Sequence, residues 1–298
     1  MAQVLEEPPD TVSFSEELTA LLNRDELEKG VEKAEEVIDN IRARLGSDDD
    51  LEGQLARALE AYGDFLRSTD QMERAELCYQ EALHFLRRNE GFEMERGRIH
   101  SSLAVFYEAI GDIEQSKQHY LRSFDLYSGL KEDYPEVCDI SNNLGYIAEA
   151  EDDMEGAEDY FVKAMELSEK LYGIDAIEVA LPCNNLGTHY FKRENFALAF
   201  DYHTRALNLR IDHLGNDHPE TADSFHNMAL VSICLGYLDD GLRYFESSLN
   251  IYEKHLAENA EDYETVSENY CDVLDSLGET GKINDVRNRV QEQLRLVE

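Results

Sequence analysis

A period of about 42 residues runs through this chain and constrains its fold more than any other property. Two stretches show it plainly: "NNLGTHYFKRENFALAFDYHTRAL" from Asn184 and "NMALVSICLGYLDDGLRYFESSL" from Asn227. They differ letter by letter and agree column by column. Extended along the chain, the alignment yields seven 22-residue windows, starting at Glu17, Tyr62, Leu103, Leu144, Leu186, Met228 and Val273. Their offsets are 45, 41, 41, 42, 42 and 45 residues.

The columns have physical content. The eleventh is always apolar: Leu27, Met72, Ile113, Met154, Phe196, Leu238 and Ile283. The fourteenth is small in six windows (Gly30, Ala75, Ser116, Ala157, Ala199, Gly241), as close helix–helix approach requires, and the seventh holds Val286. The eighteenth is bulky in six (Tyr79, Tyr120, Phe161, His203, Phe245, Val290), with Ala34 the exception. The ninth reads as a turn: Asp25, Asp70, Gly111, Asp152, Glu194, Gly236 and Gly281. Each window is thus expected to be helix A, a tight turn and helix B, with the apolar and small positions on one helical face. One hairpin cannot bury that face alone, so stacked neighbours must supply a continuous core.

The stretch "LGNDHPETADSFHNMALVSICLGYLDDGLRYFESSLNIYEKHL" resembles the connector and helix pair of the tetratricopeptide repeat family, in the longer 42-residue class seen in kinesin light chains. Residues 173–190 follow the same outline without the His-Pro. The resemblance implies an all-α, right-handed superhelical solenoid of seven antiparallel helix-turn-helix repeats spanning residues 14–298, with atypical first and last repeats as caps. Residues 1–13, which hold two prolines and no periodicity, are expected to be a disordered tail, and 45–53 a polar connector.

Composition agrees with helix. The 298 residues include only 17 Gly and 5 Pro, and no Trp. There are 65 acidic against 27 basic residues, a net charge of −38. Nonspecific nucleic-acid and membrane binding both need a basic footprint, so neither is expected. Two readings of the charge stay open, a surface adapted to high salt and a surface for basic partners. The five cysteines are odd in number and lack a C-x-x-C pair, which suggests free thiols in a reducing cytoplasm. The N-terminus lacks a basic and an apolar run, so no signal peptide is expected, and no transmembrane stretch occurs.

Candidate chemistry is sparse. "DDDLEGQLARALE" places Asp48, Asp50, Glu52 and Gly53 near calcium-loop spacing, but the twelfth position is Leu59 rather than a bidentate Glu. His213 and His218 bracket "LGND" without metal-ligand spacing, and His203 stands in a core column. No nucleophile order, phosphate loop or zinc motif occurs, so the chain is expected to be non-enzymatic and without metal or cofactor.

The remaining constellation lies on helix A, whose uncovered residues line the concave groove in such arrays. The candidate groove residues are Asn142, Asn143, Tyr146, Asn184, Asn185, Thr188, His226 and Asn227. Asn143, Asn185 and Asn227 share one column, and asparagine offers a donor and an acceptor to an extended peptide. The resemblance implies a peptide-contacting role for that column; bridging between neighbouring repeats is the equal alternative. The family's carboxylate-clamping subgroup carries Lys or Arg at groove positions that here hold Asp139, Leu181 and Asp223. Arg57, Arg98 and Lys192 are the basic groove candidates for an acidic peptide end. The expected role is a scaffold that binds a peptide or helix of another protein, with a peptide-sensing regulator of a signalling partner as the alternative. Residues 1–16 precede the first window, too few for the helical bundle some such regulators carry, so that bundle is not expected.

Overall fold

A computed structural model describes residues 11–45, 51–87 and 91–296. Among them are fourteen α-helices and no strand. They are α1 (Thr11–Asn23), α2 (Leu27–Arg44), α3 (Leu51–Ser68), α4 (Met72–Leu86), α5 (Glu93–Ala109), α6 (Ile113–Ser128) and α7 (Glu136–Ala150). There follow α8 (Met154–Tyr172), α9 (Ala180–Lys192), α10 (Phe196–Leu214), α11 (Pro219–Cys234), α12 (Leu238–Lys254), α13 (Ala260–Ser276) and α14 (Thr280–Leu294). A short 3-10 turn, Ile177–Val179, precedes α9. Two compact units divide the chain, residues 1–151 and 152–298. The first holds three hairpins and α7; the second holds α8 and three hairpins.

The A-to-B turns show why the ninth column matters. Asp25, Asp70, Asp152 and Glu194 adopt φ of 57°, 60°, 65° and 59°, and Gly111 and Gly236 adopt 79° and 84°. In five of these turns the next residue's N–H reaches back five residues, as in Gln71 N to Leu66 O (2.8 Å) and Tyr237 N to Ser232 O (2.8 Å). This is a Schellman closure, which satisfies carbonyls left open at the end of helix A. Helix B then starts at once. Asp112, Asp153 and Asn195 cap α6, α8 and α10 by accepting the N–H of Gln115, Gly156 and Leu198.

Packing follows the columns. The small fourteenth-column residues Ala75, Ser116, Ala157 and Ala199 are fully buried, as are the bulky Tyr79, Tyr120 and Phe245. Second-column glycines face the eighteenth column: a Cβ on Gly63 would lie 2.7 Å from the Tyr79 ring, and one on Gly187 would lie 2.6 Å from His203 Nδ1. Each buried large side chain contributes roughly 1.5–3 kcal/mol. The acidic composition also enters the packing. Tyr79 donates to Asp64 (2.7 Å), Tyr107 to Glu76 (2.8 Å), Tyr190 to Glu158 (2.7 Å) and Tyr263 to Glu253 (2.6 Å). Tyrosine hydroxyls therefore supply donors that the scarce Lys and Arg cannot.

Several boundaries differ from expectation. Thr11–Ser13, placed in a tail, belong to α1, whose Phe14 and Leu18 are buried against the first core; residues 1–10 lie outside the described ones. The 45–53 connector is shorter, because Leu51, Glu52 and Gly53 open α3; Asp48 and Asp50 lie outside the described residues. In the seventh hairpin the left-handed residue is Gly278 (φ 75°), while Gly281 lies inside α14. The expected register was keyed to apolar Ile283, but this helix B begins with Thr280. The unit therefore starts at Tyr270, 42 residues after Met228. The eleventh column is apolar yet incompletely covered, with Ile113 and Leu238 exposed, since the first residue of helix B sits at the rim of the turn.

Candidate functional site

In the second unit the candidate face is built by helices α9, α11 and α13. Its placement starts in the connectors. Gly173 (φ 100°) and Gly215 (φ 89°) end α8 and α10 in a conformation that disfavours a Cβ. His218 caps α11 by accepting the Glu220 N–H at 3.3 Å, and Pro219 takes the first helical position, where its missing N–H costs nothing. The Thr221 hydroxyl donates to the Gly215 carbonyl at 2.9 Å. His213 Nε2 donates to the Asp175 carbonyl (2.7 Å) and His255 Nε2 to the Asp217 carbonyl (2.8 Å), one repeat apart. His213 is thus a connector clasp.

On this scaffold Asn227 Nδ2 donates to Asn184 Oδ1 at 2.8 Å, joining α11 to α9. Asn269 Nδ2 donates to His226 Nε2 at 3.0 Å, joining α13 to α11. Burial lowers the His226 pKa to about 4, so its imidazole is neutral and accepts. Asn184, Thr188, His226 and Asn227 are half-buried, and Leu181 is 46% exposed beside them in sequence. Asn185 is 2% exposed, so the expectation that it faces the groove is corrected. It shares a sequence column with Asn227, yet it is buried where Asn227 is half-buried. Lys192 is exposed at the end of α9.

In the first unit, Asn142 is 4% exposed and is likewise no open groove residue. Asn143 is half-buried and donates to the Tyr120 hydroxyl of α6 at 2.9 Å, bridging one hairpin to the next helix A. Tyr146 is exposed. The arginines have partners within the fold. Arg57 Nη1 binds Glu95 at 2.9 Å, and Arg98 binds both oxygens of Glu60 at 2.7–2.8 Å, so the two pairs cross between α3 and α5. Glu60 is 5% exposed, and burial pushes its carboxyl up to about 7 against the opposing pull of Arg98. A cavity of about 350 Å³ lies over this lattice, lined also by Ser15, Glu16 and Asp64. The expected contact of Arg57 and Arg98 with an acidic peptide end is therefore met by internal glutamates.

Asn269 is the residue that sequence reasoning missed. It stands 42 residues after Asn227, as Asn227 does after Asn185 and Asn185 after Asn143. The signal was present, and the three-residue slip in the seventh window hid it.

Comparison with known proteins agrees with this geometry. Over 165 residues the chain is 26% identical to a clustered mitochondria protein homolog of Aspergillus fumigatus, a match that covers 54% of this chain and 13% of that protein. The chain thus spans only a small part of the curated relatives it matches. The structure is similar to that of BtubC (BKLC) from P. vanneervenii, with a TM-score of 0.69 and 26% identity over 76% of this chain and 90% of that one. A Rap protein complexed with Competence and Sporulation Factor shares the fold at a TM-score of 0.62 and 12% identity, over 95% of this chain and 76% of that one. A tetratricopeptide repeat family model matches residues 95–170, 136–212 and 177–254, together more than half of the chain. With hairpins, turns, connectors and 42-residue register already in place, the chain belongs to the tetratricopeptide repeat family.

Proposed function

We propose that this protein is a non-enzymatic binding module that displays the helix-A face of its second unit to an extended segment of a protein partner. The observation that carries the reading is the Asn184–Asn227 pair. Their mutual bond uses one carbonyl and one amino group. An amino group on Asn184 and a carbonyl on Asn227 remain, on half-exposed side chains beside exposed Leu181. One donor and one acceptor in a fixed pair match one peptide unit, which offers the same two groups. Because the pair is held by its own hydrogen bond, little side-chain freedom remains to be lost on binding. The five cysteines, none in a disulfide, suit the cytoplasmic setting expected for such a module.

The test is capture of partners from native lysate with quantitative mass spectrometry, comparing the full chain with Asn184→Ala, Asn227→Ala and the double variant. A single ordinary hydrogen bond is worth about 0.5–1.5 kcal/mol, so each single change should reduce capture by roughly 2- to 12-fold. The double change should reduce it further while the far-ultraviolet circular dichroism spectrum is kept. Unchanged capture by the folded double variant would reject this face as the binding site.

A further inference from the structure

The Asn184–Asn227 bond has a counterpart one hairpin further on. Asn227 Nδ2 donates to Asn184 Oδ1 from α11 to α9, and Asn269 Nδ2 donates to His226 Nε2 from α13 to α11. In both rungs the donating asparagine stands 43 residues after its acceptor. The rungs meet on α11 at consecutive residues, which lie about 100° apart around a helix, so Asn227 serves one neighbouring helix and His226 the other.

What each rung leaves over also repeats. In the first, Asn184 keeps an amino donor and Asn227 a carbonyl acceptor. In the second, a neutral imidazole that accepts at Nε2 carries its proton on Nδ1, so His226 keeps a donor and Asn269 a carbonyl acceptor. Among the described residues these four groups have no other partner and none is sealed from solvent. All four side chains are half-buried. Both rungs place the donor on the earlier helix and the acceptor on the later one. A chain crossing the face in one direction presents its N–H and C=O groups in a fixed order, so one segment suits both rungs. Opposite orders would require it to reverse.

Spacing selects the conformation of that segment. Two asparagine side chains bond at 2.8 Å only between closely packed helices, whose axes lie about 8–10 Å apart. The rungs repeat at that step. A polyproline II segment brings round an equivalent residue at every third position, about 9.3 Å along. A β-strand does so at every second position, about 6.6–6.8 Å along, which falls short.

We propose that the helix-A face of the second unit selects a polyproline II segment of a protein partner, holding the N–H and C=O of residue i on one rung and those of residue i+3 on the other. This rests on the reading of the face as a peptide site, and adds the conformation and register of the occupant. Residues i and i+3 must keep an N–H, so neither is proline. Residues i+1 and i+2 make no such bond, and proline there fixes the segment before it binds.

Two 12-residue peptides separate the registers. In (Ala-Pro-Pro)4, residues three apart can both carry an N–H and residues two apart never do. In (Ala-Pro)6 the reverse holds. A 12-residue polyproline has the shape without the N–H groups. Each is titrated into the full chain labelled with 15N, following the side-chain signals of Asn184, Asn227 and Asn269. One lost hydrogen bond weakens binding roughly 2- to 12-fold, so (Ala-Pro-Pro)4 should bind at least twice as tightly as (Ala-Pro)6, with polyproline weakest. Asn269→Ala should weaken (Ala-Pro-Pro)4 by roughly 2- to 12-fold and (Ala-Pro)6 by less than twofold, with melts confirming that the fold is kept. A ratio below two between the first two peptides, on the unaltered chain, overturns the three-residue register. Equal binding of polyproline shows that shape alone is read, and also overturns it. So does an Asn269→Ala variant that holds (Ala-Pro-Pro)4 unchanged, or a failure of all three peptides to move the rung signals. The peptide-site reading itself stands or falls separately, on whether Asn184→Ala/Asn227→Ala loses captured partners.

Discussion

His203 and Glu60 show how single buried groups set the response to pH. His203 is 2% exposed, and its Nδ1 has no hydrogen-bond partner. Burial lowers its pKa to about 4, and His100, His119 and His226 are lowered in the same way. A histidine whose folded pKa is depressed contributes stability above its unfolded value near 6.5, and that contribution is lost as pH falls towards 4. Glu60 has the opposite sign. Its raised pKa means that its contribution is full below about 4.5 and is lost as pH rises through 7. Burial raises Asp64, Asp139 and Asp223 in the same sense as Glu60. The four histidines are expected to outweigh these carboxylates, so denaturant melts should show a net loss of stability from pH 6.5 to pH 4. His203→Phe, which restores the residue type of its column, should flatten that loss. It should also raise stability at pH 7 by roughly 1–3 kcal/mol, because a buried nitrogen without a partner is removed. A lower midpoint for His203→Phe would mean that Gly187 and its neighbours cannot take the larger ring. Asn143→Ala should cost about 1 kcal/mol in the same melts, since it leaves the buried Tyr120 hydroxyl without the Asn143 donor.

At the scale of the hairpin, stability rests on the turn and on the close approach behind it. Glu194 sits at φ 59°, a conformation that costs an ordinary residue about 1–2 kcal/mol, where Gly111 and Gly236 serve equivalent turns. Glu194→Gly should therefore stabilise the protein by about 0.5–1 kcal/mol, read as a shift of the urea midpoint at constant slope. Gly187 is the opposite case, because no substituent fits. Gly187→Ala should destabilise by about 1–3 kcal/mol, as a methyl carbon 2.6 Å from His203 forces the ring to move. Combining Gly187→Ala with His203→Ala should recover part of the Gly187→Ala loss. Strict additivity of the two changes would show that the methyl strains something other than that ring.

For the whole molecule the governing quantity is the net charge of −38. Cross-helix ion pairs such as Arg289 with Glu246 (2.9 Å) and Glu253 (2.5 Å) offset some carboxylates locally, and tyrosine donors hydrogen-bond others, neither of which lowers the net charge. The rest repels itself across an exposed surface, and salt screens such repulsion within about 8–10 Å at physiological strength. Thermal midpoints should therefore rise as sodium chloride is added, with much of the gain by about 0.3 M. A flat or falling midpoint would show that the ion pairs lost to screening outweigh the repulsion relieved.

Periodicity determined the hairpins. Small residues such as Ala75 and Ala199, bulky ones such as Tyr79 and Phe245, and turn residues such as Asp70 and Gly236 each obey a local rule, and local rules leave a trace in every repeat. The candidate groove was legible only as a column. Asn143, Asn185 and Asn227 occupy equivalent positions, yet one bridges to a tyrosine, one is buried, and one pairs with the preceding helix A. Arg57 and Arg98 are also alike in sequence, and only packing places Glu95 and Glu60 against them. The tertiary structure decided these outcomes because exposure and hydrogen-bond partner depend on residues about 23 to 43 positions away. The period fixes which residues stand in equivalent places. The shape and chemistry of the neighbouring hairpin determine which of them remain open to a partner.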